Sequence, residues 1–112
     1  MSVTIKNVGN TTVIGIVGKM MLGFGADDFY EAIRNAIDYD KKKIVVDLSN
    51  VQFISSWGIG ILLHGYTTVN NLEGKFVLAA VPEIVNDALV KTKLDTIFHK
   101  CDSVEDALKS QD

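Results

Sequence analysis

Two continuous apolar runs constrain the fold of this chain most. Ile44–Leu48 and Lys75–Val81 are rich in apolar and β-branched residues, as expected of strands that are buried on both faces of a sheet. The segment between them has helical periodicity, because five apolar side chains fall on one helical face: Ile59, Leu62, Leu63, Tyr66 and Val69. Alternation of strand and helix predicts a parallel sheet covered by helices.

The remaining segments add a hairpin and further helices. Alternating apolar residues on both sides of Gly9-Asn10 predict an N-terminal β-hairpin. Asp28 with Glu31 three residues later predicts a capping box at the start of a helix. Ser49-Asn50 predicts a turn after the first buried strand. Residues Thr96–His99 predict a short strand. We therefore predict one α/β domain over residues 1–112, with a small mixed, largely parallel sheet and about four helices.

Charge and composition argue against several function classes. The formal net charge is −3 and there is one arginine, Arg34, whereas nucleic-acid binders carry a basic stripe. The basic cluster Lys41–Lys43 is interpreted as a solvated loop. A lone cysteine, Cys101, gives neither an internal disulfide nor a multi-cysteine metal site. No apolar run approaches a membrane span and no signal peptide is evident, so we expect a cytoplasmic protein without nucleic-acid or membrane partners.

The sequence offers no catalytic constellation. His64 follows Ser56 by eight helical residues, roughly 12 Å along the axis, which is too far for it to act directly as a base. Gly58-Ile-Gly60 lacks the third glycine and the lysine of phosphate-binding loops. We predict that the protein is not an enzyme and that it holds no metal and no cofactor.

Ser55 and Ser56 lie where a predicted strand runs into a predicted helix. Either hydroxyl is a suitable N-cap, and capping alone is one explanation of the pair. A phosphate there is another, because the positive end of the helix dipole tolerates added negative charge. The same charge would disrupt an apolar or acidic partner surface pressed against it. The junction therefore predicts either a simple cap or a phosphorylation switch.

The residues around this junction resemble a known family. Ile44-Val-Val-Asp-Leu-Ser followed by Val51-x-Phe-Ile-Ser-Ser-x-Gly-Ile-Gly60 is similar to the central motif of STAS domains in bacterial anti-sigma-factor antagonists. The order of predicted elements also resembles that family over nearly the whole chain. The resemblance implies a non-catalytic protein that, when unphosphorylated, binds an anti-sigma factor serine kinase. That kinase phosphorylates a serine of the motif and so blocks binding, and a PP2C-type phosphatase reverses the modification.

The resemblance also implies roles for individual residues. The modified serine is Ser56, with Ser55 as the alternative, and the residues that meet the partner include Ser55, Trp57 and Gly58. Asp47 and Gly60 match structural positions of the motif. Ser55 stands where the family commonly has aspartate.

The segment Gly18–Gly25 has its own chemistry. Met20, Met21 and Phe24 lie between glycines, and methionine suits surfaces that repack around a partner. With Trp57 they form either a hydrophobic docking patch or a cover over one end of the core. The segment lacks the acid that the family usually carries there. A small-ligand-sensing or scaffold STAS module that is not controlled by phosphorylation is therefore the alternative function.

Overall fold

A computed structural model describes residues 1–20, 25–40 and 42–110. Its strands form one five-stranded sheet in the order β1-β2-β3-β4-β5. The strands are β1 (Ser2–Val8), β2 (Thr11–Met20), β3 (Lys43–Ile54), β4 (Lys75–Ala79) and β5 (His99–Cys101). The helices are α1 (Ala26–Asp38), α2 (Ser56–Asn71), α3 (Glu83–Lys91) and α4 (Val104–Lys109). None of these described helices is long and apolar enough to cross a membrane.

The sheet is mixed, as the sequence predicted. β1 pairs with β2 in antiparallel fashion across Gly9-Asn10, which confirms the hairpin, and Gly9 has the positive φ of 58° that a tight turn uses. β2 to β5 are parallel to one another. The prediction of an α/β fold with a largely parallel sheet, four helices and an N-terminal hairpin is confirmed.

Helices cover the two faces of the sheet unequally. The larger core joins one face to α1, α2 and α3 through buried side chains such as Phe29, Leu62 and Leu89. The smaller core joins the opposite face to α4, where Ala107 packs near Val45. The strand residues between these layers are buried on both faces, which explains the continuous apolar runs of β3 and β4.

The predicted turn at Ser49-Asn50 is wrong, because β3 continues through these residues. Gly15 of β2 pairs with Asp47, whereas Val17 pairs with Asn50, so β3 holds one more residue than β2 over this stretch. The extra residue is accommodated as a bulge. The polar pair that resembled a turn in the sequence therefore marks an irregularity within a long strand.

The predicted capping box at Asp28 and Glu31 is also wrong. The N-cap of α1 is Gly25, three residues before Asp28, with φ 95° and no side-chain cap, and the helix begins at Ala26. Asp27 and Asp28 remain in the first turn, where the helix dipole favours acids. The predicted strand at Thr96–His99 is displaced, since β5 begins only at its last residue.

The C-terminal ends of two helices carry backbone strain that the sequence did not indicate. Glu73 follows α2 and Lys93 follows α3, and both have φ 62°, a left-handed conformation that glycine adopts at much lower cost. We expect Glu73→Gly and Lys93→Gly together to raise the free energy of unfolding by about 1–2 kcal/mol. Urea unfolding measures this, and the matched Glu73→Ala, Lys93→Ala protein should show no comparable gain because alanine keeps the strain.

Candidate functional site

The carboxyl ends of β3 and β4 define one edge of the sheet. β4 pairs with β3 only as far as Ala79 opposite Asp47, and β3 continues beyond that point beside β2 to Ile54. α2 starts at Ser56, two residues after the end of β3. We call the surface formed by the end of β3 and the first turn of α2 the carboxyl edge. In α/β folds the carboxyl ends of parallel strands are a common location for functional residues.

Ser56 is the first residue of α2, and its side chain is exposed. Its hydroxyl makes no hydrogen bond within the described parts of the chain. The first turn of α2 contains no acidic residue, so nothing there offsets the positive end of the helix dipole. The site can therefore accept a negatively charged group without loss of a structural contact.

Ser55 is the N-cap of α2, which decides between the two serines as the cap. Its backbone is extended, with φ −99° and ψ 176°, as is usual for this position. The Gly58 backbone N–H donates to Ser55 Oγ at 3.4 Å, and Ser55 Oγ donates to the Met20 carbonyl oxygen at 3.1 Å. Ser55 is only half-exposed and its hydroxyl is engaged, so Ser56 has the more accessible hydroxyl of the two.

The two motif glycines have different environments. A Cβ at Gly58 would lie 2.6 Å from the Met20 carbonyl oxygen and 2.7 Å from Ile54 Cγ1, so only glycine lets α2 approach the ends of β2 and β3 this closely. Gly58 is buried, and the interpretation of it as a partner contact is wrong. A Cβ at Gly60 would meet nothing within 4 Å, so no steric requirement explains that glycine.

The structure describes only some of the residues of the predicted hydrophobic docking patch. Met20 is fully buried in the larger core, so its side chain covers the end of the core and is not a direct docking contact, contrary to that prediction. Met21 and Phe24 lie outside the described residues. Trp57 is half-buried and packs against the larger core, which leaves part of its ring accessible at the carboxyl edge. Asp47 accepts a hydrogen bond from the Ser49 backbone N–H at 3.0 Å, a local structural role.

The histidines lie apart from Ser56. His64 is exposed, and its ring centroid is 4.5 Å from that of Tyr30 on α1. Burial raises the pKa of the Tyr30 phenol, and the charge of Asp27 adds to the effect. His99 is the first residue of β5. β5 is the outermost strand of the sheet on the side away from β1. In the described residues no group of three or more His, Cys, Asp or Glu is placed to hold a metal ion.

The first turn of α3 carries an exposed apolar residue. Ile84, in the first turn of α3, is 47% exposed, whereas Val85 and Leu89 of the same helix are fully buried. The four-residue spacing of Val85 and Leu89 places these two on the buried face of α3, while Ile84 lies on its exposed side.

Comparison with known proteins places the chain in a family. The family model of the STAS domain matches residues 2–107. The chain belongs to the STAS domain family. This STAS domain is 33% identical over 67 residues to a Thermotoga neapolitana protein provisionally named as a homologue of the anti-sigma factor antagonist TM1081. The match covers 60% of this chain and 59% of that protein.

Solved structures share the STAS fold. The crystal structure of the Thermotoga maritima anti-sigma factor antagonist TM1081, also provisionally named, has a TM-score of 0.81 at 23% identity, over 96% of this chain and 92% of that chain. Bacillus SpoIIAA in its phosphorylated form has a TM-score of 0.74 at 17% identity, over 96% of each chain. At these identities the likeness establishes the fold alone.

Proposed function

We propose that this STAS domain is an anti-sigma factor antagonist-like regulatory module, controlled at Ser56. The unphosphorylated form binds a partner anti-sigma factor serine kinase, and phosphorylation of Ser56 blocks that binding. A PP2C-type phosphatase removes the phosphate, and the domain itself catalyses no reaction. The exchange of partners takes place in the cytoplasm.

One observation carries the proposal: Ser56 is exposed at the start of α2 while Ser55 performs the capping. The Ser56 hydroxyl is therefore available for chemistry, and the fold does not depend on it. The helix dipole can stabilise a dianionic phosphate at this position. A phosphate on Ser56 would leave the domain folded but would disrupt the interface with the partner. Phosphorylation would therefore switch binding off.

The relatives support the same function. The Thermotoga neapolitana relative is named after an anti-sigma factor antagonist, and SpoIIAA, which shares the fold, has been solved in a phosphorylated form. At the carboxyl edge, the half-buried Trp57 follows Ser56 directly in the first turn of α2. Tryptophan is a suitable anchor for a partner that packs over the serine.

Phosphate transfer tests the proposal directly. The protein is incubated with ATP and the purified anti-sigma-type serine kinase of the same organism, and intact mass is measured. We expect one added phosphate on wild type and none on Ser56→Ala, whereas Ser55→Thr, which keeps the capping hydroxyl, should be modified as wild type is. Equal phosphate uptake by Ser56→Ala would show that the modified residue has been misassigned.

A groove between β1 and α1 favours the alternative function, a STAS module that senses a small ligand. Its volume of about 470 Å³ is within the range of small-molecule sites. Its lining residues are Ile5, Asn7, Thr12, Ala32, Asn35, Ala36 and Tyr39. Under this alternative a ligand would raise the melting temperature equally in wild type and in Ser56→Ala, and the kinase would transfer no phosphate.

A further inference from the structure

β1 is a long outer strand of the sheet. In the described sheet it pairs with β2 on one side and has no neighbour on the other. Its seven residues pair with β2 in an uninterrupted register and include no proline, whereas the outer strand at the opposite edge, β5, has only three residues. The free backbone N–H and C=O groups of a long, regular outer strand are a template for pairing with another chain.

The face of β1 on the α1 side of the sheet carries exposed apolar surface. Ile5 is 54% exposed, the largest fraction of any large aliphatic side chain in the described residues, although it pairs with the buried Ile14 of β2. Val3, on the same face, is half-buried and packs against the larger core. A further strand beside β1 would cover both side chains and would satisfy the free backbone groups.

We propose that two copies of this chain associate through antiparallel pairing of β1 with β1, which joins their sheets edge to edge. The symmetry of the strand favours a second copy as the occupant. Ile5 is the midpoint of Ser2–Val8, so a two-fold axis at Ile5 pairs all seven residues of each copy.

This register also matches the side chains. Ile5 meets Ile5 of the second copy, and β-branched pairs stabilise neighbouring strands. Lys6, the one charged residue of β1, lies opposite Thr4 of the second copy. A register centred on Lys6 would instead place two lysines opposite each other, which is unfavourable.

The length of β1 sets the strength of the association. A seven-residue strand is about 23 Å long, so the joined edges bury an area near the lower limit of specific interfaces. The dimer should therefore be weak, with a Kd on the order of 10–100 µM. Because the two-fold axis reverses the strand direction, the carboxyl edges of the two copies lie at opposite ends of the dimer. Association is therefore independent of the proposed function, and phosphorylation of Ser56 should leave it unchanged.

Sedimentation velocity of the full chain, from roughly 5 to 500 µM, brackets this Kd. Ile5→Lys places two like charges opposite each other and removes the central apolar pair, so it should raise the Kd at least about tenfold. Ile84→Lys is the matched control, because Ile84 is 47% exposed but lies on α3, and it should leave the Kd unchanged. Both side chains are exposed, so both variants should fold, which melting curves at low concentration verify.

Thr4→Glu tests the register. It places a glutamate opposite Lys6 of the second copy in two symmetric pairs, and it should lower the Kd about threefold to tenfold at low salt. Thr4→Gln has the same size without the charge and should not tighten the dimer. A register centred on Thr4 would bring two glutamates together, so weaker association of Thr4→Glu would overturn the register centred on Ile5.

The remaining outcomes separate a second copy from other occupants. A wild-type chain that stays monomeric at the highest concentration would overturn the proposal, and so would equal weakening by Ile5→Lys and Ile84→Lys. If the wild type were monomeric and Ile5→Lys lost affinity for the serine kinase, β1 would belong to the kinase interface instead. A dimer that Ile5→Lys dissociates would support the proposal even if Ser56 took up no phosphate, a result that would overturn the proposed function alone.

Discussion

Ser56→Asp is expected to bind the anti-sigma-type serine kinase about a hundredfold more weakly than wild type, a loss of roughly 2.7 kcal/mol. The substitution places a charge on the proposed docking surface, next to Trp57 in the first turn of α2. A partner that covers this surface would bury the carboxylate without a counter-charge, which is strongly unfavourable. Isothermal titration calorimetry with the non-hydrolysable ATP analogue bound to the kinase measures the affinity.

The same substitution should leave the thermal stability of the domain nearly unchanged. Ser56 is exposed and its hydroxyl makes no bond with another described residue, and an acid in the first turn of a helix is mildly stabilising. The melting temperature of Ser56→Asp should therefore stay within about 3 °C of wild type. Ser56→Asn is the matched control, since it has similar size without the charge, and should lose far less affinity. Equal weakening by both variants would show that shape, and not charge, controls binding.

The sequence predicted the architecture because its strongest signals are physical necessities of the fold. The apolar runs of β3 and β4 must be buried on both faces, and Gly9-Asn10 must form a tight turn, so these elements were placed correctly. The turn at Ser49-Asn50 was predicted wrongly because polar residues in a bulge and in a turn have the same local composition. Pairing with β2, which is remote in sequence, decides between them.

The sequence predicted where the candidate site lies but not the separate roles of its residues. The serine pair at the strand-to-helix junction was evident from local sequence, but either hydroxyl could cap the helix. The assignment of the cap to Ser55 depends on the Met20 carbonyl oxygen, which is 35 residues away in the chain. The burial of Gly58 depends on the same carbonyl. Local patterns therefore located the junction, whereas the distinct roles of its residues follow from tertiary contacts.

Gly58 and Gly60 are expected to respond to alanine in opposite directions. At Gly58 the new Cβ would lie 2.6 Å from the Met20 carbonyl oxygen, and because that atom belongs to the backbone, β2 or α2 must shift. Such overpacking should lower the free energy of unfolding by about 2–3 kcal/mol. At Gly60 the new Cβ meets nothing within 4 Å. Alanine is the better helix former there and should raise the free energy of unfolding by about 0.5–1 kcal/mol.

Thermal and urea unfolding of the two single variants measure the contrast. For a chain of this length the melting temperature should fall by about 10 °C in Gly58→Ala and rise by about 2–4 °C in Gly60→Ala. Each variant serves as the control for the other, because both add one methyl group to the same helix, two residues apart. If Gly58→Ala were as stable as wild type, α2 would not be held against the Met20 carbonyl oxygen. The close approach of the first turn of α2 to the end of β2 would then be absent from the protein in solution.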